Sequence, residues 1–276
     1  MKMLRAGNKT LSLEVPLVMG ILNCNNDSFY VESRSLISKE IQQKIDKMVN
    51  EGADILDIGG MSTKPGSQLI SVDEEISRIR HALDYARDHY PALWISIDTV
   101  QAAVADFAIQ QGADMINDVS GGLMDQQMLS TVGLHNIPFV CTHMKGIPEN
   151  MQHDPTYDDL MKEIIDYFVE RVKACQDAGV EQVIIDPGFG FGKTMEHNFQ
   201  ILVQLEMLHA LHLPVLTGVS RKSMIYNLLK ISADKALNGT TVLNTIALMK
   251  GSSLLRVHDV REAREAVQLF LKMKRA

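Results

Sequence analysis

What most constrains this chain is an alternation. Short apolar, β-rich runs, each ending in glycine or a polar residue, are followed by longer stretches whose apolar residues recur every three or four positions. The runs are Leu17 to Asn23, Ala53 to Gly60, Leu93 to Thr99, Met115 to Ser120, Pro138 to Met144, Gln182 to Gly188, Pro214 to Ser220 and Ser253 to Val260. Helical periodicity is clearest in Ile41 to Asn50, Val72 to His89, Val100 to Gln110, Tyr157 to Ala178 and Met195 to Leu211. Nearly continuous apolar runs suit strands covered on both faces, and a helical crossover returns each strand parallel to the last. Eight such units are the number for a closed (β/α)8 barrel, with an open doubly wound sheet as the rival. Three turns, Glu51-Gly52-Ala53-Asp54, Gln111-Gly112-Ala113-Asp114 and Ala178-Gly179-Val180, place a glycine where a left-handed cap ends a helix before a strand. Met3 to Leu13 reads as a β-hairpin closing the barrel bottom, and no linker divides residues 1–276 into more than one domain.

Charge and cysteine usage narrow the setting. The chain carries 27 Lys+Arg against 34 Asp+Glu, a net charge of −7 with both signs interspersed, so no basic face or tail marks a nucleic-acid partner. No apolar run approaches the roughly 18 residues of a membrane helix, and Met1 to Val15 mixes Lys2, Arg5, Lys9 and Glu14 with scattered Leu rather than forming a signal sequence. The 3 cysteines, Cys24, Cys141 and Cys175, have no C-x-x-C spacing, which predicts a reducing, cytoplasmic setting without disulfides or structural zinc. Cys24 alone lies near the expected mouth; Cys141 alternates into the core.

In a closed barrel the chemistry gathers where the strands end. Here those ends read Asn23; Gly59-Gly60 with Ser62-Thr63-Lys64-Pro65-Gly66; Asp98-Thr99; Asn117-Asp118; Thr142-His143; Asp186-Pro187-Gly188; Ser220-Arg221-Lys222; and Arg256-Val257-His258-Asp259. One such polar residue is ordinarily a cap, but eight ends together make a site. Asp98, Asn117 and Asp186 offer acceptors and an amide for a planar heterocycle with several N–H donors, while Lys222, Arg256 and His258 offer donors for an anion. Gly188-Phe189-Gly190-Phe191-Gly192-Lys193 is not a P-loop; it reads as backbone approaching a ligand under an aromatic edge, or as a turn with a phenylalanine packed among the helices. His143 is expected to be a buried, hydrogen-bonded histidine, and His81, His89, His209 and His212 to face solvent.

These residues carry a family pattern. The chain resembles the dihydropteroate synthases along essentially its whole length, through Met19-Gly20-Ile21-Leu22-Asn23 with Asp27-Ser28-Phe29, Asp57-Ile58-Gly59-Gly60 with Ser62 to Gly66, Ser96-Ile97-Asp98-Thr99, Ile116-Asn117-Asp118, His143-Met144-Lys145-Gly146, Asp186 to Lys193, Ser220-Arg221-Lys222-Ser223 and Arg256-Val257-His258-Asp259. The resemblance implies a transferase of folate biosynthesis, sensitive as a class to sulfonamides, that joins 6-hydroxymethyl-7,8-dihydropterin diphosphate to para-aminobenzoate. It implies that Asp98, Asn117, Asp186 and Lys222 hold the pterin, and that Asn23, Thr63, Arg256 and His258 bind the diphosphate and its Mg²⁺, with Asn23 as metal ligand. Thr63, Pro65, Phe191, Lys222 and Ser223 would border the aminobenzoate, and Lys64 would contact the diphosphate or the aminobenzoate carboxylate; Asp98, Asp186, Lys222, Arg256 and His258 would carry the chemistry, in a homodimer.

Two loops depart from the family. Asn25-Asn26-Asp27 stands where many members read Thr-Pro-Asp, Val31-Glu32-Ser33 replaces a glycine turn, and Lys64 replaces an arginine, giving up the bidentate phosphate fork of a guanidinium. A pterin-binding protein without synthase activity is therefore one alternative. A methyltransferase-type pterin barrel is another, though it has no use for Ser220 to Ser223 or for the Arg256/His258 pair as a diphosphate site.

Overall fold

The structure, a computed structural model, describes residues 2–24, 31–61, 69–146 and 155–275, with backbone alone for 31–38. An antiparallel hairpin, β1 (Met3–Ala6) with β2 (Lys9–Ser12), precedes eight parallel strands: β3 (Leu17–Asn23), β4 (Ile55–Gly59), β5 (Trp94–Asp98), β6 (Met115–Asp118), β7 (Phe139–Thr142), β8 (Val183–Asp186), β9 (Leu216–Thr217) and β10 (Leu254–Val257). Around them run α1 (Val31–Asn50), α2 (Val72–His89), α3 (Ala102–Gln110), α4 (Met128–His135), α5 (Leu160–Asp177), α6 (Met195–Val203), α7 (Ser223–Leu229), α8 (Leu237–Met249) and α9 (Val260–Lys274). The sheet runs β8-β7-β6-β5-β4-β3-β10-β9, and its two ends meet through a parallel bridge from Ile185 to Val215. The Ile185 amide donates to the Pro214 carbonyl at 3.0 Å at that seam. The (β/α)8 barrel is thus the architecture, and the open sheet is excluded.

Strands sit where the apolar runs predict and, apart from β3, which matches its run, are shorter. The seventh contracts to Leu216–Thr217: Pro214 has no amide to give the ladder, and Gly218 onward turns toward the mouth. Met195 to Leu211 is not one helix; α6 ends at Val203 and Leu205–Leu211 is a 3₁₀ helix, whose three-residue repeat puts Leu205 and Leu208 on one buried line.

The repeated Gly-Ala-Asp turns hold the barrel's lower rim in the same way twice. Gly52 and Gly112 adopt φ +92° and +95°, a left-handed conformation that lets the chain enter the next strand without a Cβ penalty. Asp54 then accepts the Val18 amide at 2.8 Å and an Arg264 N–H; Asp114 accepts the Ile95 amide at 2.9 Å and Arg87 Nη2 at 2.5 Å. Each aspartate thereby caps a neighbouring strand and neutralises an arginine from a helix. The hairpin lies against this rim: Arg5 and Gln182 exchange two hydrogen bonds at 2.7 and 2.8 Å, and Lys9 Nζ reaches Asp114 at 3.2 Å. Leu4 and Ala6 of β1 join the apolar core beneath the strands. No helix among the described residues is long and apolar enough to cross a membrane.

Candidate active site

At the upper ends of β4, β5, β6 and β10 a buried ion cluster forms. Asp57, in the middle of β4 and fully buried, accepts the Arg256 Nε–H at 2.6 Å and the Asn117 side-chain amide at 3.0 Å through the same Oδ2. Asp98, closing β5, accepts Arg256 Nη2 at 2.6 Å through its own Oδ2. Two carboxylates therefore share one guanidinium. That is the expected remedy for buried charge, since removing either partner leaves a solvent-deprived ion at a cost of about 3–5 kcal/mol. The outer oxygens, Asp57 Oδ1 and Asp98 Oδ1, are buried and have no hydrogen-bond partner among the described residues. Burial, opposed by Arg256 and reinforced by Asp57, holds the Asp98 carboxyl above its usual range. For Arg256, burial works against the charge, but Asp57 and Asp98 outweigh it and hold the guanidinium firmly protonated.

A second group stands across the mouth. Asp186, closing β8, accepts the Gly188 amide at 2.7 Å, and burial raises its carboxyl against the pull of Lys222. Lys222 donates to the Phe189 carbonyl and holds its ammonium 4.7 Å from the Phe191 ring centroid. Burial lowers Lys222 to about 8, with Asp186 opposing. A methyl group built on Gly218 would lie 3.8 Å from Asp186 Oδ2 and 3.9 Å from Lys222 Nζ and from Arg256 Cβ. The two clusters therefore converge on one point where the strand presents no side chain. Asn23 is exposed at the end of β3, and a methyl built on Gly59 would stand 3.8 Å from its Oδ1 and 3.7 Å from Asp98 Oδ2.

The glycine-rich loop is riveted from below. Lys193, almost wholly buried, directs its Nζ to the carbonyls of Phe191 and His143 at 2.9 and 3.2 Å and lies 2.9 Å from His143 Nδ1. His143 is the buried, bonded histidine expected: burial first, then Lys193, lowers it to about 2, which keeps the ring neutral. A side chain at Gly188, at φ +70°, would meet the His143 carbonyl at 1.9 Å, which requires glycine at this crossing. Phe189 is fully buried in the core whereas Phe191 remains half-buried at the mouth, so the loop divides the two readings of its phenylalanines.

The structure brings together Asp98, Asn117 and Arg256 in one cluster and Asp186, Phe191 and Lys222 in the other. Ser223 is exposed where it opens α7, and His258 is exposed beside Ser220, its Nδ1 3.0 Å from Ser220 Oγ. Thr63, Lys64, Pro65, Asn25 and Asn26 lie outside the described residues, as do the side chains of Val31 and Glu32. Cys24 is not a reactive thiol: it is buried, and desolvation pushes it up to about 12. No group of three or more His, Cys, Asp or Glu able to hold a metal occurs among the described residues. Residue-by-residue reading gave no role to Asp57, Ser220 or Lys193. The available signal for Asp57 was a charged residue in the middle of the apolar run Ile55-Leu56-Asp57-Ile58, where an ion needs a partner.

Comparison with known proteins adds a family. Residues 19–258 match the pterin binding enzymes. The dihydropteroate synthase of Escherichia coli (strain K12) is 38% identical over 271 residues, covering 98% of this chain and 95% of that protein. That of Synechocystis sp. is 41% identical over 248 residues, 88% of this chain and 85% of the relative. Among solved structures, the Yersinia pestis dihydropteroate synthase in a sulfonamide drug complex superposes with a TM-score of 0.92 at 37% identity, covering 99% of each chain. The Xanthomonas albilineans enzyme with 4-aminobenzoic acid gives 0.92 at 34% identity, covering 100% of this chain and 99% of the other.

Proposed function

The chain belongs to the pterin binding enzymes and, within them, to the dihydropteroate synthases, and from that membership we propose how its own residues perform the transfer. The reaction joins 6-hydroxymethyl-7,8-dihydropterin diphosphate to para-aminobenzoate with release of diphosphate. One observation carries the assignment of roles: the buried Asp57 Oδ1 and Asp98 Oδ1, unpartnered among the described residues, belong to a cluster in which Asn117 and Arg256 are already fixed. Acceptors held in this way, with Asp186 and Lys222 opposite, suit a flat ring rich in N–H donors with an acceptor for one ammonium.

Bond breaking at the pterin methylene leaves a cation delocalised over the ring. Asp98 and Asp186 stabilise it: a unit charge about 5 Å away at an effective dielectric of about 20 contributes about 3 kcal/mol. The arylamine attacks as a neutral nucleophile, so no covalent enzyme intermediate is required. Phe191, Lys222 and Ser223 border the aminobenzoate, together with Thr63 and Pro65, and Lys64 contacts the diphosphate or the aminobenzoate carboxylate. Arg256 is engaged on its Nε and Nη2 by carboxylates, which leaves Nη1 for the departing diphosphate, with His258 as a second donor.

Mg²⁺ fits this mouth as an ion held mainly by the diphosphate. Asn23 Oδ1, a hard oxygen at the mouth near Asp98, suits the one or two protein ligands that Mg²⁺ ordinarily takes. When bound it would neutralise charge growing on the leaving group. The three free, buried cysteines support a reducing, cytoplasmic setting, and a main apolar core drawing residues from Leu4 to Val267 supports residues 1–276 as a single domain. Exposed Val242 and Met249 on α8 and Leu269 and Met273 on α9, two helices packed against each other, support a homodimer through these segments.

Calorimetric titration with a dihydropterin lacking the diphosphate tests the pterin assignment. Asp186→Asn should weaken binding at least 10-fold, about the 1.4 kcal/mol of one charge-assisted hydrogen bond. Unchanged affinity would remove Asp186 from the site.

A further inference from the structure

Ser220 Oγ receives two atoms of one residue: the His258 backbone N–H at 3.1 Å and His258 Nδ1 at 3.0 Å. The backbone N–H can only donate, so it occupies a lone pair of the hydroxyl. Ser220 is itself buried, and its hydroxyl has no acceptor among the described residues other than Nδ1. Were Nδ1 protonated, the hydroxyl would accept twice and its own proton would be stranded, at a cost of about 1–3 kcal/mol. The hydroxyl proton therefore goes to Nδ1, and the ring proton to Nε2.

The surroundings keep the ring neutral. Partial desolvation of the ring and the Arg256 charge push His258 down, Arg221 and Lys222 act in the same direction, and Asp259 opposes them. Asp259, however, is engaged by Arg221 through Nε at 2.8 Å and Nη2 at 2.7 Å. Arg221 also donates to the carbonyls of Ala233 and Asp234 at 3.2 and 2.7 Å, which fixes the turn that carries Ser220. Nε2 has no protein partner among the described residues, and the side chain is exposed at the mouth beside Arg256.

We propose that Ser220 is a positioning residue that locks His258 in the neutral Nε2–H tautomer, so that Nε2–H donates a hydrogen bond to the departing diphosphate. This rests on the reading of His258 as a diphosphate-binding residue. Ser220 acts only through His258, and no proton is transferred: the imidazole donates its hydrogen bond and keeps the proton.

The test combines ¹⁵N-histidine NMR of the whole protein with kinetics. Long-range ¹H–¹⁵N spectra at neutral pH should give His258 an unprotonated Nδ1 and a protonated Nε2. In Ser220→Ala the tautomers should mix and kcat should fall about 10-fold with KM for aminobenzoate unchanged; Ser220→Thr, which keeps the hydroxyl, should restore both. A protonated Nδ1 in the unaltered protein, or a Ser220→Ala variant with unchanged tautomer and kcat, would overturn the proposal. Inorganic diphosphate binding to His258→Ala separates the two readings: unchanged affinity sinks the diphosphate role itself, whereas weakened affinity with a mixed tautomer in the unaltered protein sinks only the part assigned to Ser220.

Discussion

Asp57 makes two contacts through a single oxygen, and both are with residues of the pterin cluster. Exchanging it for Asn keeps the shape but removes the charge that holds Arg256 and sets the orientation of the Asn117 amide. Asp57→Asn should lower kcat/KM for the dihydropterin diphosphate about 100-fold, about 2.7 kcal/mol, with the far-ultraviolet circular dichroism unchanged. A loss under threefold would show that Asp98 alone suffices. Lys222 gives a pH dependence whose sign follows from its charge. Burial lowers it to about 8, so it is an ammonium below that pH and a neutral amine above. Only the ammonium pairs with Asp186, so kcat/KM should fall tenfold per unit above pH 8, while on the acid side it falls as the raised Asp98 and Asp186 carboxyls take up protons; a profile that stays level from pH 8 to pH 10 would contradict the role of Lys222. Most of the residues named here could be read from the sequence because polar side chains stood at the ends of apolar runs. Asp57, Lys193 and Ser220 gained meaning only from their partners, which lie 60, 50 and 38 positions away in the chain. Local spacing cannot encode such pairings.

The strand and helix pattern was legible because barrel strands are buried on both faces and helices on one, so their periodicities separate cleanly. The two Gly-Ala-Asp turns were visible as repeats. Their function was not, because the arginines they engage come from α2 and α9. Asp114 gathers Lys9, Arg87 and the Ile95 amide at the end of the barrel remote from the chemistry. Asp114→Ala should therefore cost about 2–4 kcal/mol in urea unfolding while leaving both Michaelis constants unchanged. A comparable rise in either constant would mean the rim couples to the mouth. The break of Met195 to Leu211 into an α and a 3₁₀ segment escaped prediction because leucines three and four apart fit both helices equally.

On the scale of the whole molecule, a chain of 276 residues closes eight strands at a seam only one bridge long, and the mouth above that ring collects residues from β3 through β10. No single element contains the site; closure creates it, which is why its convergence on Gly218 could not be read from any one motif. The departures at Asn25, Asn26 and Lys64 bear on the same question of turnover, since they alter loops that the family uses around its substrates. The central claim, that this barrel is a working synthase, is tested most directly by incubating the purified protein with 6-hydroxymethyl-7,8-dihydropterin diphosphate and Mg²⁺, with and without para-aminobenzoate, and following diphosphate and dihydropteroate by chromatography. Dihydropteroate formed in step with diphosphate, and only with both substrates present, is the predicted result. Tight binding of the pterin with no dihydropteroate would contradict it and leave a pterin-binding protein without synthase activity.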